Sequence, residues 1–138
     1  MAINSYRAKL SGPLLDRIDM HVEVPAISYR ELAGSEAGEK SAVVRERVER
    51  ARTRQTERGV RCNARLSSRE LQAAAKLDSD GHRIMERAVE RLALSARSIE
   101  RVRKLARTIA DLEGSETVRG PHVAEALQYR FLDREVTS

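Results

Sequence analysis

The 138 residues suffice for one domain with a core of its own and are too few for two of ordinary size. Hydrophobic residues make up 41% of the chain, but they include only three Tyr, one Phe and no Trp, so the core is aliphatic, which favours packed helices. Lys and Arg number 26 against 21 Asp and Glu, and the resulting pI near 9.9 suits nucleic acid, nucleotide, an acidic partner subunit or simply a solvated arginine-rich surface. A single cysteine, Cys62, excludes an internal disulfide and points to a reducing compartment. The three histidines, at 21, 82 and 122, are far apart and have no second ligand nearby, so no metal site is expected. No run approaches the roughly 18 apolar residues of a membrane span. The start Met-Ala-Ile-Asn-Ser lacks the charged and apolar regions of a signal peptide, and the reading is cytoplasmic.

The first informative run is Ser11-Gly-Pro-Leu-Leu-Asp-Arg-Ile-Asp19, a proline-led turn that brings Arg17 out between Asp16 and Asp19. On those residues alone, a salt bridge from Arg17 to either aspartate around the turn is the plainer reading. A phosphate-binding G-x-x-x-x-G-K-S/T loop is absent from the sequence, so the chain reads as part of a larger machine. His21-Val-Glu-Val-Pro25 alternates polar and apolar and predicts a short half-buried strand with no partner strand of its own. Residues 28–33 can make one or two helical turns, and 34–38 read as a loop.

Residues 41–58 predict a surface helix with a narrow stripe of Val44, Val48, Ala51 and Gln55 and six arginines against three glutamates. Arg47, Arg50 and Arg54 on it are candidate contacts for a nucleic-acid backbone, although pairs such as Glu46 with Arg50 fit a solvated face as well, and no aromatics are interleaved to stack bases. Gly59 stops this helix, and residues 60–66 read as an extended connector. Ser67 with Glu70 forms the pattern of a capping box and opens a helix to about Lys76. Asp78 or Ser79 caps the next, whose wide face of Ile84, Met85, Ala88, Val89 and Leu92 marks a core helix. Ser95 caps a helix that turns Ile99, Val102, Leu105, Ala106, Ile109 and Leu112 inward and Arg101, Arg103, Lys104 and Arg107 outward, until Gly114. Pro121 fits the first turn of a last helix to about Leu132, with Val123, Ala126, Leu127 and Phe131 on its buried side. The expected fold is mainly α, divided into residues 1–26, 27–66 and 67–134.

Tyr6-Arg-Ala-Lys-Leu-Ser-Gly-Pro-Leu-Leu-Asp-Arg-Ile-Asp19, Leu94-Ser-Ala-Arg-Ser-Ile-Glu-Arg-Val-Arg-Lys-Leu-Ala-Arg-Thr-Ile-Ala-Asp-Leu-Glu-Gly114 and His122-Val-Ala-Glu-Ala-Leu-Gln-Tyr-Arg130 resemble the C-terminal part of the magnesium-chelatase-like AAA+ ATPases, most nearly the ComM/YifB group. The resemblance implies a helical-bundle lid over residues 67–134, preceded by a remnant of the α/β core. It implies that Arg17 is an arginine finger reaching the γ-phosphate held by a neighbouring subunit. Arg97, in the first turn of the Ser95-capped helix, would be the sensor 2 arginine directed at nucleotide phosphates. Asp16 and Asp19 would orient the turn rather than bind metal. ATP and Mg2+ would be bound by the full-length protein, and this chain alone would neither bind them nor hydrolyse ATP. The implied partners are neighbouring subunits of a homo-oligomeric, hexameric ring, with DNA as cargo in helicase-like branch migration during natural transformation. Two other functions stay open: the motor subunit of magnesium chelatase in tetrapyrrole synthesis, and a non-enzymatic helical module that binds nucleic acid.

Overall fold

The computed structural model describes residues 14, 17–29, 33, 34 and 38–130. Among them the chain forms α1 (Ser41–Glu57), a 3-10 turn (Asn63–Arg65), α2 (Ser68–Ala74), α3 (Ser79–Leu92), α4 (Ala96–Glu113) and α5 (Gly120–Gln128). The mainly helical architecture expected from the aliphatic composition is the one observed.

Each boundary has a local cause. Ser67 accepts from the Glu70 amide while the Glu70 carboxylate accepts from the Ser67 amide at 2.8 Å, closing the capping box of α2. Asp78 caps α3 by accepting from the Gly81 amide at 2.7 Å, and Ser95 caps α4 by accepting from the Ser98 amide at 3.1 Å. Gly59 and Gly114 end α1 and α4 at φ 82° and 85°, left-handed values that glycine adopts without steric penalty. Ala93 ends α3 at φ 47° without that freedom.

The middle of the assembly is α4, against which α1, α2, α5 and the 3-10 turn all pack, while α3 packs on α5. Val102, Ala106 and Ala110 of α4 are wholly buried, and their small side chains let the neighbouring helices approach closely. Leu66, Leu71, Met85, Val118, Val123 and Ala126 fill the space around them. Full burial of a side chain such as Leu71 contributes about 1.5–3 kcal/mol. One parallel bridge, Leu77 to Val118, joins the approaches to α3 and α5; the Asp78 amide donates to the Val118 carbonyl at 3.0 Å and the Val118 amide to Lys76 at 3.2 Å.

Several expectations are corrected. Residues 21–25 form no strand: no edge among the described residues is available to pair with it, and Val22 and Val24 stand exposed. The connector after Gly59 is not fully extended but includes the 3-10 turn, and α5 ends at Gln128 rather than near Leu132. Leu112, expected inward, is about half exposed, whereas Arg107, expected on the outer side of α4, is 2% exposed. The side of α4 expected to face water is covered by the connector and α2, which supply carbonyl acceptors to its cations. Phe131, Asp16 and parts of 28–38 lie outside the described residues.

Candidate functional site

Arg97, Arg101, Lys104 and Thr108 recur at intervals of three and four along α4, so they form one stripe down the helix. With Asp19, Ala64, Glu100 and Leu105 they line a cleft of about 360 Å³. The cations in it have different commitments. Arg101 pairs with the Asp19 carboxylate, and Lys104 donates to the Ala64 carbonyl at 3.2 Å. Beside the cleft, Arg103 donates to the Ala75 carbonyl at 3.0 Å. Arg97 is exposed at the first turn of α4 and makes no ion pair among the described residues. The first-turn amides of a helix and its dipole favour an anion at that end, and an arginine beside them adds a planar fork of donors.

Arg17 is also exposed, on a turn in which its amide donates to the Leu14 carbonyl at 3.0 Å. Asp19, the carboxylate nearest it in the described chain, is turned to Arg101 instead, and Arg17 makes no ion pair among the described residues. The structure thus brings the Asp19 end of the Arg17 turn to the wall of the cleft that Arg97 also lines.

A second polar cluster went unread in the sequence. Asp111 is buried and accepts from Arg107 Nε at 3.1 Å, Asn63 Nδ2 at 2.8 Å and Arg58 Nη1 at 3.1 Å. Arg107 also donates to the carbonyls of Ala74, Ser115 and Glu116, so its guanidinium joins α2 and the segment after α4. Burial lowers the Arg107 pKa, and the Asp111 charge opposes that shift. Gln55 accepts from the buried Asn63 amide at 3.1 Å, which brings α1 into the same network. Its partners lie about fifty residues apart in sequence, and the one available signal was the four-residue spacing of Arg107 and Asp111.

Of the arginines expected on the α1 surface, Arg47 pairs with Glu39 at 2.8 Å and Arg50 with Glu46 at 3.2 Å, both pairs exposed. Arg54 turns instead towards Gly114. At the start of α5, His122 Nδ1 accepts from the Arg119 amide at 2.9 Å, which leaves Nε2 to carry the proton towards Glu113. That hydrogen bond, then one from Arg119, lowers the Glu113 pKa. Among the described residues no three His, Cys, Asp or Glu side chains gather to hold a metal, and no helix is long and apolar enough to cross a membrane.

Residues 38–130 match the family description "Magnesium chelatase, subunit ChlI C-terminal", and residues 1–32 match "Magnesium chelatase, subunit ChlI". The chain belongs to the magnesium chelatase ChlI family. Within this AAA+ family it is 43% identical over 133 residues to the competence protein ComM of Haemophilus influenzae, covering 96% of this chain and 26% of that protein. It is 41% identical over 130 residues to YifB of Escherichia coli, covering 94% and 26%, and 34% identical over 129 residues to a Mycobacterium tuberculosis protein, Rv2897c, covering 91% and 25%. The chain spans about a quarter of the length of these curated relatives. The ChlI-family match takes in both the turn of Arg17 and the whole of α4.

Proposed function

We propose that this chain is the lid end of a ring-forming AAA+ ATPase. In this reading Arg17 acts in trans on the γ-phosphate of ATP bound by the next subunit of a homohexamer, and Arg97 reads the nucleotide of its own subunit as sensor 2. The observation that carries it is the pair of exposed arginines without ion-pair partners among the described residues, on a chain whose other cleft cations are engaged. Charge developing on a transferred phosphoryl group calls for a cation that never deprotonates and is held ready outside water-exposed salt bridges, which suits arginine. Asp19 acts through Arg101 rather than as a metal ligand, and Asp16 would support the same turn. The magnesium and the loop cradling the phosphates would be contributed by the rest of the full-length protein, so no step on this chain runs through the metal. Residues 1–26 would close the AAA+ core, 27–66 form a surface helix and connector, and 67–134 the lid, all in the cytoplasm.

Similarity to a competence protein supports DNA as the cargo over the tetrapyrrole pathway. The carboxylate partners of Arg47 and Arg50 favour a solvated α1 face over a phosphate-binding one. The test is an ATPase assay of the full-length protein with Arg17→Ala, with and without branched DNA. Fingers of this kind are worth roughly 10³–10⁵ in rate, about 4–7 kcal/mol of barrier. The variant is expected to bind nucleotide as the parent does and to lose turnover; undiminished turnover refutes the finger. Stimulation of the parent by branched DNA selects the DNA motor, and its absence favours a chelatase motor.

A further inference from the structure

The turn that carries Arg17 is fastened to the far end of the chain by a buried guanidinium. Arg130 is wholly buried; its Nη1 donates to the Ile18 carbonyl and its Nη2 to Ser98 Oγ at 3.3 Å. Ile18 adjoins Arg17 and Ser98 adjoins Arg97. One rigid fork therefore spans the neighbours of both exposed arginines. Two further bonds run in parallel: the His21 amide donates to the Tyr129 carbonyl at 2.7 Å, and Asp19 pairs with Arg101 of α4.

Burying an arginine is costly unless its donors are satisfied, and an apolar side chain of similar size would fill the same space without that cost. Two of the acceptors of Arg130 are a backbone carbonyl and a hydroxyl, one on each side of the fork. What the planar fork supplies and an ammonium cannot is two acceptors held at one fixed separation. We infer that Arg130 is a positioning residue whose guanidinium, seconded by the Arg101 and Asp19 pair, holds the Arg17 turn and the Arg97 end of α4 as one rigid unit, so that a lid movement sensed at Arg97 is carried to Arg17. This rests on the proposed roles of Arg17 and Arg97.

The experiment uses the full-length protein with Arg130→Lys, the single swaps Asp19→Arg and Arg101→Asp, the double swap, and each of these combined with Arg17→Ala. Displacing a catalytic group by about an ångström loses on the order of a hundredfold in rate. Arg130→Lys is expected to lower kcat by about tenfold to a hundredfold with nucleotide affinity unchanged, each single swap to lower kcat by a similar factor, and the double swap to restore it. In the Arg17→Ala background the same changes are expected to add nothing, because they act through Arg17. Unchanged kcat in the singles, or an equal further loss in that background, overturns the inference. If Arg130→Lys does not fold, the swaps at the exposed Asp19 and the half-buried Arg101 decide alone. If Arg17→Ala keeps full turnover, the finger reading fails by itself, and the tether is then judged by hydrogen exchange at the His21 amide: faster exchange in the single swaps supports it, and unchanged exchange refutes it.

Discussion

Replacing Asp111 by alanine takes one carboxylate from three donors at once. Its side chain is 1% exposed and that of Arg107 3%, whereas Arg58 retains 26% exposure and can turn to water. Removing one partner of a buried pair costs about 3–5 kcal/mol, because the remaining charge stays desolvated. Arg107 keeps its bonds to the carbonyls of Ala74, Ser115 and Glu116, which lowers the loss, while Asn63 Nδ2 retains Thr108 Oγ1 at 3.0 Å. The expected destabilisation is therefore about 3 kcal/mol, a large share of the roughly 5–15 kcal/mol that holds a domain together. The exposed pair Arg50 and Glu46, with side chains 66% and 67% exposed, provides the contrast: Arg50→Ala is expected to cost under about 0.5 kcal/mol. Urea unfolding followed by circular dichroism measures both, with the change read from the midpoint at constant slope. An Asp111→Ala loss no larger than that of Arg50→Ala would refute the view that the cluster joins α1, α2 and α4 energetically.

Ala93 closes α3 in the left-handed region, at φ 47° on an exposed position, and Ala93→Gly is expected to raise stability by about 0.5–1 kcal/mol, with Ala93→Val lowering it. Thermal melts of the two variants check this, and a lower Tm for the glycine variant would be the contrary result. Glu113 has its pKa lowered in the folded chain by hydrogen bonds from His122 and Arg119, so its contribution is complete above the unfolded glutamate value near 4.5 and is lost as pH falls through the lower folded value. The urea midpoint is expected to fall with acidification in that window, and Glu113→Gln to flatten that part of the profile.

Helix positions were readable wherever a local device sets them: the Ser67 and Glu70 box, the Ser95 cap and the glycines at 59 and 114 all act within four residues of chain. Periodicity also placed Val102, Ala106 and Val123 in the core. It failed for α4's other side because a helical pattern states which residues are apolar, not which polar ones will be covered. Arg107 is buried because a carbonyl of α2, 33 residues away, and those of the turn after α4 meet it, and the helical pattern does not encode that meeting. The alternation at 21–25 misled for a related reason: a strand exists only with an edge to pair, and in this segment the His21 amide donates instead to Tyr129 at the end of α5. Arg97 and Asp19 were legible as separate motifs; their place at one cleft was not, since it depends on how the chain returns past α4.

The Leu77 to Val118 bridge has a kinetic meaning. Closing a loop of about forty residues costs about 3 kcal/mol of chain entropy, more than one pair of backbone hydrogen bonds contributes. The bridge is therefore not a nucleus for folding. It becomes favourable once α4 lies between the two approaches and has already brought them together, which makes it a late contact in a landscape otherwise dominated by helices and short connections. In a refolding experiment the amides of Asp78 and Val118 would gain protection after those of α4, marking the moment at which α3 and α5 lock side by side.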